Sequence, residues 1–344
     1  GILSSEPSSP YFSAMEVSFP PKPVLGCLLG SLRCCANASP EFFAKFMHFC
    51  FFPMQGCLQG CLSSTSRSSR RLSRQPVKIS GTLDAEWIIL DRKASDTSKV
   101  VLYLPGGGFV ARDHTAGVFA SRVLPRLASK MPAVPPLLVL NYTLPSSPPK
   151  VKEEVEATLS WLRGQGYTEI VVVGDSAGGY LAVQTFLQQT PRMPKICGAV
   201  GICPPLDLTF SGDSYERNIN SCFLTKSFVE YARASYLQLD PQDAPSISEA
   251  TVRMHSITLN AQKLALLKEH PMMLVACEQD LMYDDVGTFA AAARAGAPNG
   301  VLVCDVRGEA SFHISLLMPG LANASHQQAM DQIGSYIFQA LTHA

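Results

Sequence analysis

The chain has 344 residues, 47% of them hydrophobic, with 28 Lys and Arg set against 28 Asp and Glu. Length and apolarity suffice for a globular protein built as one large domain, or as one domain with a lid. The balanced charge offers no global field to recruit nucleic acid or an anionic membrane, so neither a nucleic-acid partner nor a polyanionic ligand is expected.

Residues 1–75 are rich in Pro, Ser, Cys and Phe and lack alternating strand runs. Their strongest periodicity spans 41–52, where Glu41, Lys45 and His48 share one helical face and Phe42, Phe43, Phe46, Phe49 and Cys50 fill the rest. That is an amphipathic helix suited to packing on the main domain, to covering a pocket as a lid, or to contact with a membrane surface. Arg67, Arg70, Arg71 and Arg74 in a Ser-rich stretch read as a solvated linker. Six of the eleven cysteines, Cys27, Cys34, Cys35, Cys50, Cys57 and Cys61, crowd this segment, and the other five are scattered among strand-like runs as buried thiols. No C-x-x-C pair with partner histidines is present, which argues against a zinc site, and the odd total argues against a fully paired secreted framework. No apolar run reaches the roughly 20 residues of a spanning helix. The stretch 24–32 before Ala36-Asn37-Ala38 has the form of a short signal region, but it has a single basic flank in Lys22 and lies far from the first residue. A cytoplasmic or membrane-peripheral location is therefore favoured over secretion.

From Val77 onward strands alternate with helices. Residues 77–79 and 85–90 form a hairpin pair, and 99–104 is a buried strand running into Pro105-Gly106-Gly107-Gly108. A helix is predicted over 116–129, a strand over 136–141, a helix over 150–162 and a strand over 170–173. A buried helical run follows at 180–187, then a strand at 198–203. Residues 207–270 interrupt this rhythm with an irregular and helical insertion containing a helix near 225–237. Strands resume at 272–276 and 301–306, and a last helix covers 327–340. This alternation predicts an α/β fold with a mainly parallel central sheet flanked by helices and carrying a helical cap. The organisation expected is an amino-terminal cap segment and linker over 1–75, a core over 76–207, a cap insertion over 208–270 and the rest of the core over 271–344.

The chemistry is carried by Gly174-Asp175-Ser176-Ala177-Gly178-Gly179, directly after the apolar run 169–173. A serine between glycines at a strand-to-helix turn is a nucleophile elbow, since only small residues fit around so sharp a bend. By itself the pattern is weak; its place after a strand and before a helix makes it specific. A serine hydroxyl needs a base, a carboxylate to hold that base, and donors for an oxyanion. The loop after 272–276 supplies Asp280, with Glu278 and Asp284 as alternatives, and the loop after 301–306 supplies His313, alone among seven histidines in following a terminal strand. The chain order Ser176, Asp280, His313 is that of α/β-hydrolases. Ala177, the residue after the nucleophile, and Gly107 with Gly108 are the expected oxyanion donors.

Residues 76–340 resemble the hormone-sensitive-lipase-like family of α/β-hydrolases, which includes small-ester carboxylesterases and arylacetamide deacetylase. The resemblance rests on four segments. Pro105-Gly106-Gly107-Gly108 is similar to the family's H-G-G-G, and Asn141-Tyr142-Thr143-Leu144-Pro145 to its Y-R-L-A-P. Gly174 to Gly179 is similar to G-D-S-A-G-G, and Asp280-Leu281-Met282-Tyr283-Asp284 to D-P-L-x-D without the proline. The family's histidine before the glycines is Pro105 here. Proline has no N–H and a fixed φ, so the loop must be held by another route or the oxyanion hole is misformed. The resemblance implies a serine carboxylesterase acting on short- to medium-chain hydrophobic esters without metal or organic cofactor. A small-molecule-binding protein of this fold without turnover, an amide deacetylase and a membrane-surface lipase are the alternatives.

Overall fold

The computed structural model describes residues 72–343 except 92, 191–192, 240–248, 319–320 and 322. The readings of the amphipathic helix at 41–52, of the crowded cysteines and of Arg67, Arg70 and Arg71 lie outside the described residues. Arg74 does not belong to a linker. It sits in strand β1 (Leu72–Ser80), where its guanidinium pairs with Glu86 of β2 (Leu83–Leu90) at 3.0 Å.

Eight strands form one sheet in the order β1-β2-β6-β4-β7-β8-β9-β10. The remaining members are β4 (Lys99–Leu104), β6 (Leu137–Asn141), β7 (Glu169–Asp175), β8 (Lys195–Ile202), β9 (Met272–Cys277) and β10 (Val301–Val306). The pairings β1·β2 and β2·β6 are antiparallel and all others are parallel. Two residues each from β3 (Ala94–Ser95) and β5 (Ala133–Val134) make a small second sheet that sequence reading did not foresee, being too short to show a period.

Strand alternation sorts the core into two layers, because successive side chains point to opposite faces. Val101, Tyr103, Val171 and Val173 face helices α1 (Thr115–Ala128) and α9 (Ala324–Thr342). Val100, Leu102, Leu104, Ile170 and Val172 face α2 (Pro148–Gly164), α3 (Ala177–Leu187) and α8 (Tyr283–Gly296). Burial on both faces explains why the parallel strands read as unbroken apolar runs. Between β8 and β9 lie α4 (Ser214–Arg217), α5 (Lys226–Tyr236), α6 (Glu249–His255) and α7 (Ala261–Glu269). Helix α5 starts at a Thr225 side chain that accepts the Phe228 N–H, and α7 at an Asn260 side chain that accepts the Lys263 N–H. Among the described residues no helix is long and apolar enough to cross a membrane.

After β4 the chain moves to β6 on one side, and then crosses back to β7 on the other. The carboxyl ends of β4 and β7 therefore flank the point where the direction of winding reverses, which is where open α/β sheets hold their ligands.

Candidate active site

Ser176 occupies the tight bend between β7 and α3. Its backbone lies at φ 51°, ψ −124°, a sparsely populated region for a residue with a Cβ. Neighbouring contacts hold it there: the Ser176 N–H donates to Ile202 O of β8 at 2.8 Å, and Ser176 O accepts from Tyr180 N at 3.0 Å. Gly178 permits the bend, since a Cβ there would overlap Leu104 O and stand 2.7 Å from Pro105 O. Helix α3 begins at Ala177, three residues earlier than the apolar run at 180–187 indicates, because the glycines that break hydrophobic periodicity are those that pack its first turn onto β4.

His313 Nε2 lies 2.9 Å from Ser176 Oγ, and His313 Nδ1 lies 2.9 and 3.0 Å from the two carboxylate oxygens of Asp280. Both partners are 1% exposed, whereas Ser176 is half-buried, so the chain runs from the interior toward a cavity. The structure thus brings Ser176, Asp280 and His313 together and gives the other two acids different work. Glu278 accepts the Gly308 N–H at 3.1 Å, and Asp284 pairs with Arg217 at 2.9 Å while accepting the Ser214 N–H at 2.8 Å.

The acid-bearing turn is braced by a residue that sequence reading missed. Asn218 Nδ2 donates to Glu278 O at 2.9 Å and to Asp280 O at 2.7 Å. An asparagine in an irregular insertion carries no local signal, as its partners lie 60 and 62 positions away. Replacing Asn218 by Ala should leave the Glu278 carbonyl without its donor and Asp280 O with only the Tyr283 N–H at 3.4 Å, lower stability by about 1–3 kcal/mol and loosen Asp280. We expect a kcat reduced by roughly tenfold with KM little changed, since about 1.4 kcal/mol of barrier is a factor of ten; steady-state kinetics beside a thermal melt checks it. The Cys222 thiol also faces Asp280, with Sγ 3.9 Å from Oδ1, and burial followed by the charge of Asp280 pushes it up to about 12. It therefore stays neutral at physiological pH. Phe223 sets its ring edge-on to the His313 imidazole, 5.9 Å between centroids.

Among the described residues, Cys203, Asp280 and His313 form a group with donor atoms within 4.8 Å of one another. Asp280 and His313 are already hydrogen-bonded to each other, and burial holds the Cys203 thiol well above its ordinary range. The arrangement therefore suits proton transfer better than metal ligation.

Gly107 and Gly108 stand at φ 115° and 64° in the loop after β4, where a side chain would be strained. Among the described residues no acceptor engages the N–H groups of Gly107, Gly108 or Ala177. Pro105 does not leave the loop unsupported. Tyr142 donates its phenol to Pro105 O at 2.8 Å, the Asp113 N–H reaches Gly106 O at 3.3 Å, and the Ala111 N–H reaches Gly107 O at 3.0 Å. Phe109 then stacks on Tyr236 of α5, 3.8 Å between centroids, and so ties the loop to the cap. Tyr142 lies in the segment that sequence comparison singled out, but nothing local shows what its hydroxyl reaches. Ser176, Gly107, Gly108, His313, Phe223 and Phe228 are among the residues lining a cavity of about 30 Å³.

With this geometry in place, similarity to known proteins acquires meaning. Residues 101–316 match the family described by the α/β-hydrolase fold, well over half of the chain. The chain belongs to the α/β-hydrolase family. Its resemblance to the hormone-sensitive-lipase-like group stands. Among curated relatives it is 30% identical over 202 residues to the carboxylesterase/phospholipase LipF of Mycobacterium tuberculosis, a match covering 51% of this chain and 53% of that protein. It is 34% identical over 168 residues to the esterase LipU of the same organism, covering 46% and 51%. The chain spans about half the length of the curated relatives it matches. Solved structures share the fold: an esterase of the archaeon Pyrobaculum calidifontis has a TM-score of 0.67 at 21% identity, covering 93% of this chain and 99% of that one. An esterase from the bacterial hormone-sensitive lipase family has 0.65 at 21%, covering 94% and 100%.

Proposed function

We propose that this α/β-hydrolase is a serine carboxylesterase working through an acyl-enzyme on Ser176. The observation that carries the reading is the hydrogen-bonded chain Asp280–His313–Ser176 opening onto a cavity that Gly107 and Gly108 also line. Ser176 Oγ attacks the ester carbonyl as its proton passes to His313 Nε2. Asp280 holds the Nδ1–H tautomer and stabilises the imidazolium that forms. The oxyanion takes hydrogen bonds from the N–H groups of Gly107, Gly108 and Ala177, of which each such donor is typically worth about 10²–10³ in rate. His313 then protonates the leaving alcohol, and water activated by the same ring releases the acid. No step requires a metal or organic cofactor. The curated relatives' names, carboxylesterase/phospholipase and esterase, support the same class.

Cavity size favours the short end of a hydrophobic acyl series. The cavity is small, about 30 Å³, and is walled by Phe223, Leu224 and Phe228, which suits a short acyl group. Phe228 sets the limit, because a Cβ placed on Gly108 would meet its ring at 3.2 Å. Phe228→Ala should move the best substrate from acetate toward butyrate or hexanoate, raising kcat/KM on the longer ester by roughly 10-fold, the worth of one to two buried methylenes. The test is labelling with a fluorophosphonate probe together with hydrolysis of aryl esters from acetate to decanoate. Folded protein that takes no label and cleaves none of the series would overturn the proposal, and unchanged chain-length preference in Phe228→Ala would remove the cavity argument.

A further inference from the structure

Behind the glycine loop two buried carboxyl groups meet. Asp175 closes β7 immediately before Ser176 and is 0% exposed, and Asp113, in the loop after β4, is 7% exposed. Their Oδ1 atoms are well supplied. Asp175 Oδ1 accepts from Tyr103 OH at 2.6 Å and from the Gly106 N–H at 3.3 Å, and lies 3.1 Å from Thr115 Oγ1, whose single proton goes to the nearer Asp113. Asp113 Oδ1 accepts from Thr115 Oγ1 at 2.8 Å and from the Thr115 N–H at 3.3 Å. Their Oδ2 atoms, by contrast, are both buried and find no donor among the described residues. These two bare oxygens converge on one point beside Gly106, where a Cβ would overlap Asp113 Oδ2 and stand 2.7 Å from Asp175 Oδ2.

Two ionised carboxylates with facing, unsolvated lone pairs would repel at close range in a low dielectric, and one proton between them removes that cost and satisfies both oxygens. We propose that Asp113 and Asp175 share one proton between their Oδ2 atoms, and that this acid–carboxylate pair positions the Gly107–Gly108 loop against Ser176. The pair spans the gap between the carboxyl ends of β4 and β7. Asp175 holds the Gly106 N–H, and the Asp113 N–H holds Gly106 O, so both polar groups of the glycine preceding the proposed oxyanion donors are held by these two residues. It supplies the second route by which a loop beginning with Pro105 is kept in shape. Burial first, and then the neighbouring Asp113, push Asp175 well above the usual carboxylate range, which agrees with a proton retained at neutral pH.

The phenols beside the pair do not compete for its titration. Tyr103 from β4 and Tyr142 from the end of β6 are both raised above the ordinary phenol range, chiefly by burial. Arg112 donates to Tyr142 O and stays cationic although burial lowers it. Glu154 of α2 accepts from the Thr143 N–H and hydroxyl. Loss of the shared proton as pH rises should therefore release the loop.

The proposal rests on the esterase reading for its kinetic arm, and its spectroscopic arm is independent of it. In wild type, kcat for an aryl acetate should fall on the alkaline side while KM changes little. Asp113→Asn puts a permanent N–H on Asp175 Oδ2, and should remove that alkaline limb while keeping kcat near neutral pH within about threefold. Asp113→Ala should lose roughly 10–100-fold at every pH, because Asp175 Oδ2 is then left bare. Asp175→Asn should mirror Asp113→Asn, whereas the double Asn variant, with two amides facing each other, should behave like Asp113→Ala. In infrared difference spectra, wild type minus Asp113→Asn should show the carbonyl stretch of a protonated carboxylic acid at neutral pH, disappearing together with the alkaline limb. An identical alkaline limb in wild type and Asp113→Asn, a folded Asp113→Asn as impaired as Asp113→Ala, or the absence of the carbonyl band would each overturn the proposal. If wild type cleaves no ester, the esterase reading falls and the band alone decides the shared proton.

Discussion

Ser176→Ala should lower kcat by about 10⁴–10⁶-fold and abolish fluorophosphonate labelling, with KM nearly unchanged. The size of the effect follows from the role proposed for the hydroxyl: its oxygen forms the bond to the acyl carbon, and no nearby group replaces it. Cys203 and Cys222 are buried thiols held above their ordinary range, and Cys222 turns toward Asp280 rather than the cavity. Substrate binding should survive, since the cavity walls and the backbone N–H groups of Gly107, Gly108 and Ala177 remain. His313→Gln should cost about as much as Ser176→Ala, and the double variant little more, because the members of such a chain act as a unit. Melting temperature should scarcely move in Ser176→Ala, as the side chain is half-buried and hydrogen-bonds only His313 Nε2 among the described residues. Full activity in Ser176→Ala would reassign the nucleophile.

Gly178→Ala should destabilise the protein by about 3 kcal/mol or more, because the added methyl has nowhere to go without moving backbone. Its Cβ would overlap Leu104 O and the Leu104 carbonyl carbon would lie 2.6 Å away, with Pro105 O at 2.7 Å. Strand β4 is paired on both sides, to β6 and β7, so it cannot yield. Helix α3 must shift instead, carrying Ser176 away from His313 and the glycine loop. At roughly 2–4 °C per kcal/mol for a domain of this size, the melting temperature should drop by about 6–12 °C. A displacement near 1 Å at the nucleophile should also cost about 10²-fold in kcat. Gly287→Ala supplies the control. That glycine is exposed within α8, with no atom within 4 Å of a Cβ, and alanine there should stabilise by roughly 0.5–1 kcal/mol. Differential scanning calorimetry of the two variants distinguishes a steric clash from a general intolerance of alanine. Equal melting temperatures would mean that the contact between α3 and β4 is looser than its geometry requires.

The consequences of these two substitutions trace back to features of different visibility. The strand runs of β4, β7, β8 and β9 were legible because parallel strands covered on both faces are continuously apolar, a pattern that survives without any tertiary information. Ser176 was legible because it follows such a run directly, and Asp280 and His313 because each lies in the loop after a strand, three residues past β9 and seven past β10. Boundaries were less legible where chemistry and periodicity disagree. The start of α3 at Ala177 was hidden by glycines needed for close packing, and β1 begins at Leu72 inside a stretch whose serines and arginines resemble a linker. The pairing of Arg74 with Glu86 depends on antiparallel register, which places Arg74 opposite Ile88 and leaves its long side chain to reach the neighbouring position.

Local pattern and composition determined the α/β alternation, the elbow and the order Ser176, Asp280, His313 at strand ends, because each is encoded within a few consecutive residues. Folding alone decided which groups hold those three in place. Asn218 reaches the Asp280 turn from the insertion, Tyr142 reaches Pro105 O from the end of β6, and Asp113 meets Asp175 across the gap between β4 and β7. These contacts join residues 37 to 62 positions apart. A polar side chain's partner is set by which strand ends the sheet order makes adjacent, and that order comes from the packing of the whole chain rather than from any one segment of it.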